Sequence, residues 1–186
     1  MADTLRAWYR DDSEDNLEEL HQADPPQMLT AEEVLRVTGV KYRKVENCND
    51  EAEQKRLSEG FVLADFLDIS REAMGDKYED FVKFSHVEHI HEDSEVRLVL
   101  KGGGYFEVRD YDDRWIRLHL REGDLIHLPA GIFHRLALDS KKHIKFYRLY
   151  SEVAEWRAFY RPEAESHPAR DKFLSTRPNT TIVASP

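Results

Sequence analysis

Residues 88–97, E-H-I-H-E-D-S-E-V-R, decide how this chain is read, and G-D-L-I-H-L-P-A-G-I-F-H at 123–134 answers them. His89 and His91 are two residues apart, and Glu95 follows four residues later. On an extended chain, residues of one parity share a face. Two imidazoles, a carboxylate and Arg97 are thus expected on one side, with apolar Ile90, Val96, Leu98 and Leu100 on the other. Two histidines and one carboxylate form a facial metal-ligand set. In the second block, Pro129 fixes φ and Gly131 permits a positive φ, a tight turn that delivers His134 as a fourth candidate ligand.

The surrounding sequence divides by character. Residues 1–29 are acidic and expected to lie extended over the surface, with Leu5, Trp8 and Tyr9 as anchors. Thr30 and Glu33 form a capping box before Val34, Leu35 and Val37, and Gly39 supplies a left-handed stop. A short strand is expected at 42–45 and a charged helix at 50–59, closed by Gly60. Ser70 can cap another helix ending at Gly75, and Tyr78, Phe81, Val82 and Phe84 continue at helix-like spacing.

From 86 to 150 short apolar or alternating runs are separated by turns. Strands are expected at 96–100, 105–109, 115–120, 125–128, 133–138 and 144–150, with Gly102-Gly103-Gly104 as one of the turns. Such spacing suits a sandwich or barrel. A short helix is expected at 153–160 and a frayed tail at 177–186. The fold class is therefore mainly β with added α. One domain spans 1–186: an N-terminal extension with short helices to about 85, a barrel core at 86–150, and a C-terminal helix and tail. The helical N-terminal third is expected to cover the apolar face opposite the histidines.

Composition excludes several functions. A formal charge of −10 opposes nucleic-acid and anionic-membrane binding, which need a basic footprint. No apolar run reaches the roughly 20 residues of a membrane span. The single cysteine, Cys48, rules out an intramolecular disulfide and a cysteine-based zinc site. A monomer is expected, located in the cytoplasm and, in a eukaryote, also in the nucleus.

The two blocks resemble the paired motifs of the cupin superfamily. The first has H-x-H-x-x-x-E followed after six residues by Gly102; the second has Gly123, Pro129-x-Gly131 and His134. The asparagine often found four residues further on is replaced by Leu138, a departure that removes no ligand. The match narrows through K-G-G-G-Y-F-E-V-R-D, W-I-R-L, the opening A-W-Y-R-D-D and the late F-Y-R-P. Together these resemble the acireductone dioxygenase family of methionine salvage, over roughly residues 6–162.

That resemblance implies a cupin-type β-barrel (double-stranded β-helix, or jelly roll) with His89, His91, Glu95 and His134 on Fe(2+), or on Ni(2+) as the alternative. It implies acireductone and O2 as substrates. The iron form of the family yields a 2-oxo acid and formate, while the nickel form releases carbon monoxide. Four protein ligands leave two adjacent octahedral positions for a chelating enediolate. Arg97 is the expected catalytic residue, balancing substrate charge, with a salt bridge to Glu95 or Asp93 as its competing role. Phe84, Phe106, Phe133 and Leu136 are candidates for the wall around the methylthio tail. Tyr105 and His127 are candidate partners for the imidazoles. Two other readings share these ligands: a non-oxidative metal cupin isomerase and a non-catalytic cupin binding protein.

Overall fold

The structure, a computed structural model, describes residues 4–151 and 157–178. In the N-terminal third the local signals act where they stand. β1 (Arg6–Tyr9) and β2 (Met28–Leu29) come first. Thr30 then caps α1 (Ala31–Thr38) in a reciprocal box with Glu33, and Gly39 ends it at φ 74°. After β3 (Lys41–Lys44), the Asp50 carboxylate accepts from the Glu53 N–H at the head of α2 (Glu51–Ser58). β4 (Leu63–Ile69) leads to Ser70, which caps the short α3 (Arg71–Met74), and α4 follows over Tyr78–Ser85. The helices are as expected, and so is a strand at β3, but β1, β2 and β4 join them. Residues 6–9 form a sheet strand paired with β7, and Trp8 within it and Leu5 just before it are buried, as anchors would be.

The remaining elements are β5 (His89–Ile90), β6 (Glu95–Arg109), β7 (Trp115–Arg121), β8 (Asp124–Leu128), β9 (His134–Leu138), β10 (Ile144–Tyr150), β11 (Phe159–Tyr160) and α5 (Pro168–Ser175). They build two antiparallel sheets. One runs β2-β1-β7-β6-β9-β5-β11 and the other β4-β10-β6-β8-β3. β6 belongs to both. Its first half pairs with β8 and β10, its second with β7 and β9.

The expected turn at Gly102-Gly103-Gly104 is therefore a corner inside one strand. A Cβ on Gly102 would lie 2.0 Å from the His143 carbonyl oxygen, and one on Gly104 2.8 Å from that of Ala137. Gly102 also has φ 74°, and two residues before it the pairing with β10 shifts register, between Lys145 and Phe146. Only glycine lets the strand bend there while its neighbours stay close.

Both sheets contribute to one core, which includes Val99, Phe106, Ile116, Ile126, Leu138 and Phe146. Each such side chain contributes about 1.5–3 kcal/mol by leaving water. The opposite face of β6, with Val96, Leu98 and Leu100, packs on Val45, Cys48 and Leu57, so α2 and its flank form the expected cover. At the far end of β6 the buried Glu107 carboxylate gathers ion pairs from Arg10, Arg117 and Arg135, which fasten the N-terminal arm.

At the C-terminus the expected helix at 153–160 is not seen as such. Residues 152–156 lie outside the described residues, and Phe159–Tyr160 is β11. The helix found is α5, with Pro168 in its first turn and His167 Nδ1 accepting from the Ala169 N–H. Of the expected tail, 179–186 lie outside the described residues. Among the described residues no helix is long and apolar enough to cross a membrane.

Gly102→Ala is expected to cost roughly 2–4 kcal/mol, from the left-handed backbone and the carbonyl overlap together. Gly60→Ala, at φ 89° with nothing within 4 Å of the added carbon, should cost only about 1 kcal/mol. Equal losses in urea unfolding would show that the corner tolerates a side chain.

Candidate metal centre

His89 opens β5 beside His134, which opens β9; the two are register partners. The chain quits the sheet at His91, bends through Glu92 and Asp93, and re-enters at Glu95 as β6 begins. The shared strand face expected from parity is thus replaced by a bend, although His89, His91 and Glu95 still converge. From Glu95 onward the alternation holds. Gly131 ties the two blocks together: its N–H donates to the His91 carbonyl at 2.9 Å, and a Cβ there would lie 2.0 Å from the Ala169 oxygen.

One ligand atom from each of His89, His91 and His134 falls within 4.8 Å of the others, a spacing that one ion can bridge. Each ring has its Nδ1 on a backbone carbonyl: His89 on Val87 (2.7 Å), His91 on Arg157 (2.5 Å) and His134 on Ile132 (2.9 Å). Carbonyls only accept, so Nδ1 carries the proton and Nε2 presents a lone pair. Glu95 Oε1 lies 3.0 Å from His91 Nε2 and 3.1 Å from His134 Nε2. That oxygen is buried and receives no hydrogen bond. Three electron-pair donors at this distance repel one another unless a cation sits among them. Metal–donor bonds of about 2.1 Å place adjacent octahedral donors about 3 Å apart, so the set fits a divalent ion.

The electrostatics favour the ligand forms. Burial alone would raise the Glu95 pKa, but the Arg97 guanidinium holds it well below the ordinary carboxylate value. Arg97 Nη2 meets Glu95 Oε2 at 3.0 Å. Burial, reinforced by His134, lowers the His89 pKa to about 3, which leaves this imidazole neutral at physiological pH.

These groups form the polar end of a cavity of about 360 Å³. Leu67, Phe81, Phe84, Phe106, Leu136 and Phe146 make its apolar wall, with Phe84 half-exposed. Phe133 is a correction. It is fully buried against Ile90 and Ala164, under the Arg161 and Arg170 guanidiniums, and is not among the lining residues. Tyr105 and His127 do not serve the imidazoles either. Tyr105 packs with Trp8 and Arg117, while His127 pairs along β8 with Lys41 and Val96. Backbone carbonyls take that role, which side-chain patterns do not reveal. Arg148, held by Asp65, and Tyr160 also line the cavity. The sequence signal for Tyr160 is the F-Y-R-P block. A larger polar groove of about 790 Å³, between Asp68, Arg71, Lys101 and His143, lies at the opposite end of β10.

The ARD/ARD' family profile matches residues 6–158. An acireductone dioxygenase of Ixodes scapularis is 40% identical over 177 residues, covering 92% of this chain and 96% of that protein. Acireductone dioxygenase 4 of Arabidopsis thaliana is 41% identical, covering 91% of each. A solved acireductone dioxygenase of Bacillus anthracis, with cadmium in its active centre, shares the fold at TM-score 0.64 and 20% identity. The match covers 86% of this chain and all of that one.

The lowered His89 and Glu95 pKa values set a pH dependence for the metal-free protein. Unfolded, His89 takes a proton near 6.5, whereas folded it resists until about 3. Stability is therefore full above 6.5 and falls as pH drops toward 3, by roughly 2–4 kcal/mol. Glu95 adds a loss of the same sign below its ordinary value of 4.5. Denaturant midpoints at pH 7 and 5 should differ, and His89→Gln should shrink the difference; an unchanged midpoint would contradict the buried neutral imidazole.

Proposed function

The chain belongs to the ARD/ARD' family, and on that premise we propose that it cleaves acireductone with O2 as a metal-dependent dioxygenase, holding its ion with His89, His91, Glu95 and His134. The observation that carries this reading is the buried, undonated Glu95 Oε1 set 3.0 and 3.1 Å from two histidine Nε2 atoms. Fe(2+) is the proposed resident ion and Ni(2+) the alternative, since imidazole and carboxylate donors accept both.

When bound, the ion supplies Lewis-acid and redox chemistry to a substrate bearing two neighbouring oxygens. The residues do the rest. The three rings keep Nδ1 on backbone carbonyls and turn Nε2 inward, the His89 imidazole stays neutral at physiological pH, and Glu95 adds one negative charge. Arg97 is anchored by Glu95 and by the Val96 carbonyl, 3.1 Å from its Nη1. It keeps a fixed positive charge on the cavity wall, placed to balance an anionic enediolate and orient one of its oxygens. The salt bridge to Glu95 and the substrate role are thus compatible. Phe84, Phe106 and Leu136 offer the methylthio tail an apolar surface and exclude water. The reading envisages a monomer working in the cytoplasm, and in the nucleus of a eukaryote.

Metal-stripped protein reloaded anaerobically with iron or nickel, then given acireductone and oxygen, tests the proposal. Oxygen uptake is expected with both. Iron-loaded protein should give 4-methylthio-2-oxobutanoate and formate; nickel-loaded protein should give carbon monoxide, formate and 3-methylthiopropionate. Metal-loaded protein that leaves acireductone and oxygen untouched would sink it. Arg97→Ala is expected to lower kcat/KM by about 10²–10³, with bound metal per chain near the wild-type level; unchanged turnover would remove Arg97 from the mechanism.

A further inference from the structure

Two of the three imidazoles are oriented locally, by carbonyls two residues earlier in the chain: His89 by Val87 and His134 by Ile132. His91 differs. Its Nδ1 donates to the carbonyl of Arg157, sixty-six residues away. The direction of its Nε2 is therefore supplied by the C-terminal segment, and depends on whatever holds that segment in place.

β11 alone is a weak fastening. It makes two register pairs, Phe159 with Ile90 and Tyr160 with His89, and so short a strand pair is marginal in water. The next residue, Arg161, adds much more. Its Nη1 donates to Glu88 Oε1 at 2.8 Å, its Nη2 to both Asp113 oxygens at 3.0 Å, and its Nε to Glu165. Its guanidinium also sits 4.4 Å from the centre of the Phe133 ring. Phe133 packs against Ile90, the residue between His89 and His91. Glu88 immediately precedes His89 and is also held by Arg109, whose Nε donates to the same oxygen at 2.9 Å. One side chain thus joins the C-terminal segment to the flank of the histidine block and to the β6–β7 turn.

We propose that Arg161 is a positioning residue, which fastens the 157–160 segment to Glu88 and Asp113 and thereby holds the Arg157 carbonyl on His91 Nδ1. This rests on the metal-centre reading above. A group acting through a ligand's hydrogen-bond partner changes metal affinity by about 10–100-fold when removed.

The test uses full-length protein loaded with Co(2+), whose paramagnetism shifts the exchangeable ring N–H protons of bound histidines out of the crowded proton spectrum. Wild type should show three such signals. In Arg161→Ala and Arg161→Lys, one of the three should exchange with solvent about tenfold faster while the other two stay unchanged. Co(2+) affinity should fall by about 10–100-fold. Arg177→Ala, which breaks a surface pair with Asp112, should alter neither. If Arg161→Ala does not fold, Arg161→Lys and Glu88→Gln give the same reading. Three unmoved signals with wild-type affinity would overturn the proposal, and so would equal loosening of all three. Wild-type protein that takes up no cobalt would reject the metal centre itself, and this proposal with it.

Discussion

Glu95 Oε1 lies 3.0 Å from His91 Nε2 and 3.1 Å from His134 Nε2 in a buried pocket, and all three atoms are electron-pair donors. Water cannot easily screen them, and no donor hydrogen separates them, because the ring protons are committed to backbone carbonyls. The protein spends folding stability to keep this arrangement. Part of the offset is Arg97 on the far carboxylate oxygen; the larger part is the ion that such a set invites. Much of the rest of the fold can be understood as holding these atoms against their own repulsion.

Rigidity comes from the way the two sheets share β6. Glu95 stands at its first residue and Arg97 two further on, while both halves of the strand are paired on each side. The apolar flank of the same strand is sealed by Val45, Cys48 and Leu57, so the carboxylate cannot swing away without exposing core. The Gly131 turn, bonded to the His91 carbonyl, brings the second histidine block to the first. The pocket then divides into a polar end and an aromatic wall, a division suited to a substrate with an anionic head and an apolar tail.

The histidines and Glu95 were legible because they form a joint pattern with a turn that has its own chemistry. Parity assumed one straight strand, whereas Glu92 and Asp93 bend the chain between His91 and Glu95. Capping residues marked two of the helices, since Thr30 and Ser70 act within four residues of themselves. β1 and β4 were harder: their partners, β7 and β10, lie far along the chain, and their own alternation is weak. Three adjacent glycines look like a turn in sequence, but their close contacts with His143, Asp139 and Ala137 exist only once the sheets have met. Phe133 adjoins His134 in sequence, but its ring packs into the separate cluster of Ile90 and Ala164. α5 carried a readable signal in His167-Pro168, overshadowed by the apolar 153–160 run.

The distances in sequence between partners bear on biogenesis. β1 waits for β7, with Trp8 set opposite Arg117, and the Arg117 guanidinium reaches back a hundred residues to the Leu17 carbonyl. His91 waits for Arg157. Topologies dominated by such remote closures assemble slowly. A nascent chain on the ribosome would therefore carry its histidines for some time before they face one another, and the ion's entry belongs after translation, when the last strand has been laid beside the first histidine.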